Sequence, residues 1–368
     1  MKPDDIDPDW SSLEAYREDI DSIDNDLISL LAQRQEVAAA IGKFKKDRGM
    51  EVIDPAREEA VLGKLTAKSQ GRLSKDFIRH IFNEIFSASR AAQEPLAVAF
   101  LGPEATFSHQ AAISLFGRST SYKAADSFED IFAMVEKGMC QKGIVPIENS
   151  YEGSINRNLD LLHNYNLKIS AELHLRIRNH LLSKANEIKE TKHLYSHPMP
   201  IAQCRNWIKI NLKGMLVNEV ASTSLAAKIA ADDHEALAIG SRLSARKYGL
   251  NILKENIEDQ PENITRFLVI GKTDSQPTGR DKTSIIFSLS HRPGTLFKVM
   301  EVLARKNINM SRIESRPMRT RNWEYLFFVD LEGHEQDQKV HEAMQEMERH
   351  CAFFKKLGSY PAAGNPNE

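Results

Sequence analysis

Glu148, Asn149 and Ser150 put a carboxylate, an amide and a hydroxyl in a row, directly behind the apolar run 144–147 and just ahead of Gly153 and Ser154. A strand that ends this way describes a pocket for a small polar molecule, because ligands of α/β folds collect beyond strand ends. A second set of groups is cationic. Arg34 and Lys45 are eleven residues apart, close to three helical turns, so one helix face carries both beside Leu27, Leu31, Ala38 and Ile41. Buried cations are costly unless paired; taken alone, the two read as long side chains lying along a dimer seam with their heads in water. Asp54, Arg57 and Glu58 fall within one turn, and Ser89 and Gln93 form an (i, i+4) pair. Together these groups would line a polar pocket in a helical bundle, suited to a compact dianion. Arg17 lies 17 residues before Arg34, roughly 25 Å along a continuous helix. If it joins that pocket it comes from a second chain, which predicts an intertwined helical dimer.

The elements that must hold these groups follow three successive patterns. From Leu13 to Phe44 apolar residues recur every three or four positions, with no proline and no glycine before Gly42, which predicts one long amphipathic helix. Asp54 is an N-cap, Pro55 follows at the first helical position, and the second helix runs to Gly71. Ser74 caps a third helix, which stops before Pro95. Residues 96 to 272 alternate short apolar runs (97–101, 143–147, 167–173, 192–195, 215–220, 236–239, 267–271) with helical stretches, predicting an α/β unit with a largely parallel sheet. The polar stretch "GKTDSQPTGRDK" at 271–282 reads as a linker. Residues 283 to 361 follow the order strand, helix, strand, strand, helix, strand, which is ferredoxin-like. The last residues, "PAAGNPNE", are expected to lack structure.

Further polar groups sit at expected loops of the α/β unit. Thr106 and Ser108 open a helix after the first strand, where backbone N–H groups favour an anion. Ser196 and Gln203 belong to "YSHPMPIAQC", Ser222 to "STS", and Thr265, Arg266 and Phe267 to "NITRF". Singly, the hydroxyl pairs are ordinary helix caps and Arg266 a solvated charge; their number in one unit argues for a site. The totals exclude other classes. A chain of 368 residues, 41% hydrophobic and 27% charged, has room for two or three domains, and its net charge of −2 argues against nucleic acid. Three scattered cysteines form neither a disulfide framework nor a metal pattern. The acidic N-terminus has no apolar signal region, and no apolar run reaches the roughly 18 residues of a membrane span. A cytoplasmic protein is expected.

With these motifs in hand, the chain resembles the family of bifunctional chorismate mutase–prephenate dehydratases, or P-proteins. Residues 10–94 resemble the all-helical mutases through Arg17, Arg34, Lys45, Asp54, Arg57, Glu58, Ser89 and Gln93, at the family's spacing with at most a one-residue slip. Rearrangement of chorismate to prephenate is unimolecular, and the resemblance implies an enzyme that needs neither metal nor organic cofactor, so catalysis rests on holding a reactive conformer and stabilising charge on the ether oxygen. The resemblance implies that Arg17, Arg34 and Arg57 hold the carboxylates. It puts Lys45 and Gln93 at the ether oxygen, and Asp54 and Glu58 at the ring hydroxyl. Residues 96–272 resemble the dehydratase through "GPEATFS", "PIENS…G", "SHP…QC", "STS" and "N-TRF", with a two-lobed fold like the periplasmic binding proteins and a second lobe at about 174–253. Thr265 is then the implied proton or hydrogen-bond donor and Glu148 a second candidate. Arg266 would anchor a carboxylate, while Asn149 and Gln203 orient the substrate. Ala105 stands where the family usually has glycine, and Met199 where many members have glutamine.

Residues 283–361 resemble an ACT domain. The turn Pro293-Gly294-Thr295-Leu296 and the "ESRP" motif Glu314-Ser315-Arg316-Pro317 imply a phenylalanine site between two such domains, and hence feedback inhibition in a homodimer or larger assembly. Thr295 replaces the commoner alanine. The residues do not separate prephenate from arogenate as substrate. A solute receptor and an amino-acid sensor without catalysis remain rival readings; the fused helical unit argues against the first, and Lys45 with Thr265 against the second.

Overall fold

The computed structural model describes residues 13–48, 52–317 and 325–364. Residues 10–12, included in the expected first domain, lie outside them. Three helices open the chain: α1 (Leu13–Asp47), α2 (Pro55–Ser69) and α3 (Lys75–Gln93). The expected caps are present. The Asp54 carboxylate accepts the Arg57 amide at 2.9 Å, and the Ser74 hydroxyl accepts the Phe77 amide at 3.2 Å. Each satisfies one of the amides that a helix start leaves without an intrahelical partner. α1 crosses α3 at Gly42, where a Cβ would come within 2.7 Å of the Gln93 Cα; only glycine allows this approach. Much of the apolar side of α1, including Ile23, Leu27, Leu30 and Phe44, faces solvent in the single chain.

The chain continues through β1 (Ala97–Leu101), α4 (Phe107–Phe116), β2 (Ser121–Ala125), α5 (Phe128–Glu136), β3 (Lys142–Asn149), β4 (Gly153–Ser154), α6 (Asn156–Asn164) and β5 (Lys168–Arg176). It then leaves for a second sheet, built from β6 (His180–Ser183), β7 (His193–Ser196), α7 (Pro198–Gln203), α8 (Arg205–Asn211), β8 (Leu216–Glu219), α9 (Thr223–Asp232), β9 (Ala236–Gly240), α10 (Arg242–Tyr248) and β10 (Asn251–Lys254). It returns as β11 (Ile264–Gly271). The first sheet has the order β2-β1-β3-β11-β5, with β4 on β3, and the second β10-β6-β9-β7-β8. Both sheets are mixed, which corrects the largely parallel expectation. β1 is parallel to β2 and β3, but β11 is antiparallel to both β3 and β5. The cause is the excursion. Ile264 pairs with Arg176, so β5 and β11 form a hairpin whose loop is the whole second lobe, and a hairpin is antiparallel. Short β2, β6 and β10 carry no apolar run long enough to mark them in the sequence.

The last unit comprises β12 (Asp281–Ser288), α11 (Thr295–Arg305), β13 (Met310–Pro317), β14 (Tyr325–Glu332), α12 (Gln338–His350) and β15 (Phe353–Pro361), in a sheet of order β13-β14-β12-β15. Alternation along β12 divides its burial. Ile285 and Phe287 pack with Val299, Val302, Val340 and Met347 of the two helices. Ile286 faces the other way and, with Phe328, Leu357 and Tyr360, shares a core with Ile131, Phe132, Leu162 and Ile169 of the first lobe. At Gly358 the approach is so close that a Cβ would lie 2.4 Å from the Ile169 carbonyl oxygen.

The stretch read as a linker is therefore packed. The Ser275 hydroxyl donates to the Ser170 carbonyl at 2.6 Å, and the Ser275 carbonyl lies 3.0 Å from His334 Nε2. The tail is held as far as it is described: the Ala362 amide donates to the Arg280 carbonyl and the Ala363 amide to Glu172, each at 2.9 Å. Residues 365–368 lie outside the described residues. No helix among the described residues is long and apolar enough to cross a membrane.

Candidate active sites

The helical unit assembles part of its expected pocket within one chain. Arg34 donates to the Ser89 hydroxyl, which itself donates to the Ile85 carbonyl at 2.8 Å. Burial pulls the Arg34 guanidinium below its ordinary range, and Glu58 opposes that pull. Lys45, Asp54 and Glu58 line a cavity of about 470 Å³. Lys45 Nζ donates to the Val52 carbonyl at 2.9 Å. The Gln93 side-chain oxygen is buried at the α1–α3 crossing and has no hydrogen-bond partner among the described atoms. Arg17 and Arg57 are exposed and are not brought to the cavity. The opposite wall was not legible in the sequence: Lys142, Ser170 and residues 273–276 close the cavity from the α/β side. Arg90 was missed as well. It is buried, lines the same cavity and pairs with Glu58; as one basic residue on an amphipathic helix it had no distinguishing signal.

In the α/β unit the decisive geometry is a bulge. β3 and β11 pair Thr265 with Asn149 and Arg266 with Glu148, but Phe267 with Pro146, so Ile147 is the extra residue. Simple alternation from Ile147 would aim Glu148 and Asn149 at the wrong faces; the bulge exchanges them. Asn149 consequently meets Thr265: its Nδ2 donates to Thr265 Oγ1 at 2.9 Å and to Asn263 Oδ1 at 2.8 Å. Its Oδ1 accepts the amides of Tyr151 at 3.0 Å and Glu152 at 3.3 Å, which fixes the orientation of the carboxamide. Because Thr265 Oγ1 accepts from Asn149, its own hydrogen remains available to donate. Asn263 adds a buried Nδ2 with no partner among the described atoms.

The loop after β1, which runs parallel to β3, lies at the same end of the sheet. Thr106 caps α4, its hydroxyl donating to the Leu101 carbonyl at 3.1 Å, and Ser108 is buried in the first turn. Ala105 has φ +66°, the left-handed region that disfavours a Cβ, which gives a physical reason for glycine at this position. Its carbonyl accepts from Ser244 at 2.8 Å and Ser241 at 3.3 Å, and its amide donates to His109 Nδ1 at 3.0 Å, so the second lobe grips this loop. Gln203 accepts from Asn179 at 3.2 Å.

Several expected contacts are corrected. Arg266 does not face a cleft. Its Nε donates to Glu172 at 2.8 Å, its Nη1 to Asp330 at 2.6 Å and its Nη2 to the Tyr360 hydroxyl at 3.1 Å. Burial alone would depress the guanidinium, but Asp330, Tyr360 and Glu172 outweigh it and hold the proton on. Glu148 points the same way and pairs with Arg312 at 3.1 Å. Phe267 packs in the core with Val98, Phe100 and Ile144. Ser196 is fully buried, donating to the Ile239 carbonyl at 2.9 Å, and Ser222 caps α9. Ser150 donates to the Glu262 carbonyl at 3.3 Å and accepts the Ile264 amide at 3.1 Å, stapling the loop to β11. Removing one partner of a buried charged network strands the others. Arg266→Met should thus cost about 3–5 kcal/mol of stability in chemical denaturation; a change below about 1 kcal/mol would show that the network contributes little.

In the last unit, pairing of Ser288 with Leu326 and of Leu326 with Arg316 puts the turn 293–296 and the end of the "ESRP" strand at one end of the sheet. Gly294 has φ +80°, and Thr295 Oγ1 donates to the Arg292 carbonyl at 3.0 Å. Glu314 accepts from the Ser154 hydroxyl at 2.7 Å and Arg316 pairs with Asp160 at 2.8 Å, while Ser315 and Pro317 face outward. Half of this motif therefore touches the loop and helix that follow Glu148-Asn149-Ser150.

Three families match the chain in succession: chorismate mutase type II over residues 16–94, prephenate dehydratase over 98–275 and ACT domain over 283–349. The bifunctional chorismate mutase/prephenate dehydratase of Aquifex aeolicus is 41% identical over 355 residues, 95% of this chain and 98% of that protein. Its counterpart from Neisseria gonorrhoeae is 38% identical over 351 residues, 95% and 96% of the two chains. Among solved structures, the prephenate dehydratase of Arthrobacter aurescens in complex with L-Phe overlays with a TM-score of 0.67 at 31% identity, covering 73% of this chain and 90% of that one.

Proposed function

The chain belongs to the family of bifunctional chorismate mutase/prephenate dehydratases and is an enzyme with both activities, and from that premise we propose how its residues divide the work. Residues 10–94 convert chorismate to prephenate. Arg34 and a second copy's Arg17 hold the carboxylates, Lys45 and Gln93 face the ether oxygen, and Asp54 and Glu58 meet the ring hydroxyl. The exposed apolar side of α1 supports an intertwined dimer, since a helix with this much unpartnered apolar surface needs a cover.

Residues 96–272, with the second lobe at about 174–253, convert prephenate to phenylpyruvate. The bond from the ring to its carboxylate breaks, the electron pair moves into the ring, and the ring hydroxyl leaves as water after gaining one proton. The observation that carries this assignment is the Asn149–Thr265 bond, which leaves the Thr265 hydrogen free for that leaving group. Gln203 orients the substrate with the unpartnered Asn263 Nδ2, while Asn149 holds Thr265 in place.

Residues 283–361 form a ferredoxin-like effector unit. Two of them, in a homodimer or larger assembly, bind L-phenylalanine between the turn 293–296 and the "ESRP" strand. β13 is an edge strand with Ile313 exposed, which supports such pairing. Feedback requires the amino acid to bind one state of the assembly better than another. The setting is cytoplasmic.

The test is a time course of purified protein with chorismate, following chorismate, prephenate and phenylpyruvate with and without phenylalanine. The proposal expects phenylpyruvate to accumulate, more slowly when phenylalanine is present. Prephenate that accumulates unconverted would overturn the dehydratase assignment and make arogenate the next substrate.

A further inference from the structure

Arg90 sits one residue beyond Ser89 on α3, turned about 100° away from the Ser89–Gln93 face. Only 5% of it is exposed. One side of its guanidinium pairs with Glu58 Oε1, and the other donates through Nη2 to the Phe116 carbonyl at 2.9 Å. That carbonyl is at the end of α4, in the dehydratase unit. The same junction is tight elsewhere: the Ser119 amide donates to the Ser87 hydroxyl at 3.0 Å, and a Cβ at Gly117 would lie 2.4 Å from the Ser87 Cβ. A buried fork anchored at a fixed backbone oxygen has little freedom, so it dictates where the Glu58 carboxylate stands.

We infer that Arg90 is a positioning residue of the mutase site, aiming the Glu58 carboxylate into the cavity from an anchor in the dehydratase unit. This rests on the mutase reading of that cavity. Glu58 Oε1 is taken by Arg90, which leaves Oε2 for the ring hydroxyl. The charges around Glu58 come from every wall: Lys45 and Arg34 on α1, Asp54 at the head of α2, Arg90 on α3, and across the cavity Lys142 and Asp274. Burial pushes the Glu58 carboxyl up, Arg90 is the largest opposing influence, and Asp54 adds to the rise while Lys45 opposes it. Without Arg90 the carboxyl is pushed up further, so a higher pH is needed to keep Glu58 charged.

The test uses the full chain with chorismate as substrate and compares wild type, Arg90→Met, Arg90→Lys, Glu58→Gln and the Glu58→Gln/Arg90→Met double variant across the neutral and alkaline pH range. Arg90→Met should lower mutase kcat about 100-fold at neutral pH and recover as pH rises. Arg90→Lys should regain much of that loss, and the pH effect of Arg90→Met should vanish in the Glu58→Gln background. Should Arg90→Met melt below the assay temperature, Arg90→Gln, which keeps a donor for the Phe116 carbonyl but no charge, carries the same test. A wild-type pH profile and kcat in the charge-removing variant, or an equal loss at every pH with and without Glu58, would overturn the inference. Wild-type protein that leaves chorismate untouched would instead sink the mutase reading beneath it.

Discussion

Thr265→Val should abolish dehydration of prephenate while chorismate is still rearranged. Valine keeps the shape of threonine and removes only the hydroxyl, so the loss reports the donor. The neighbouring amide is not stranded, because Asn149 Nδ2 still has Asn263 Oδ1 at 2.8 Å. A positioned proton donor contributes about 10²–10⁴ in rate, and kcat for phenylpyruvate formation should fall by that factor with little change in KM. A threonine hydroxyl is a weak acid, which favours the lower half of the range. Thr265→Ser, which restores the hydroxyl, should recover most of the activity. A Thr265→Val enzyme within tenfold of wild type would remove Thr265 from the chemistry.

Lys45→Ala should do the reverse. Lys45 reaches the cavity from the last turn of α1 and is held by the Val52 carbonyl at 2.9 Å. A donor aimed at developing negative charge is typically worth about 10²–10³ in kcat, so chorismate consumption should fall by at least that much. Prephenate supplied directly should still yield phenylpyruvate. Either substitution destroying both activities in a folded protein would show that the two sites are not independent.

How far the sequence could be read depended on the range of the interaction involved. The helices, their caps at Asp54 and Ser74, and the division into three units depend on contacts a few residues apart. So does the pairing of Arg34 and Lys45 on one face. What could not be read depends on a neighbour from elsewhere. The extra residue at Ile147 changes which of Glu148 and Asn149 meets Thr265, and a bulge on β3 is defined only by its pairing with β11, over a hundred residues later. Arg266 looked like a substrate anchor because its partners, Glu172 and Asp330, come from two other strands. Arg90 was missed because half of its job is done by a backbone carbonyl, which no side-chain motif encodes. The turn-rich stretch 271–282 suggested a free tether, yet the hydroxyl and the carbonyl of its one serine, Ser275, are satisfied by Ser170 and His334 in the units on either side.

That packed stretch also determines how this protein can be recombined. Cutting after residue 272 would not separate two modules. It would leave Ile169 and Leu162 without the strands that cover them, and Arg266 without Asp330 and Tyr360. Exchanging the last unit with that of a relative would require the facing residues of the first lobe to travel with it. In inheritance the dehydratase lobe and the last unit are therefore bound to drift together, with a change at Glu172, Arg266 or Asp330 tolerated only when the other side answers it.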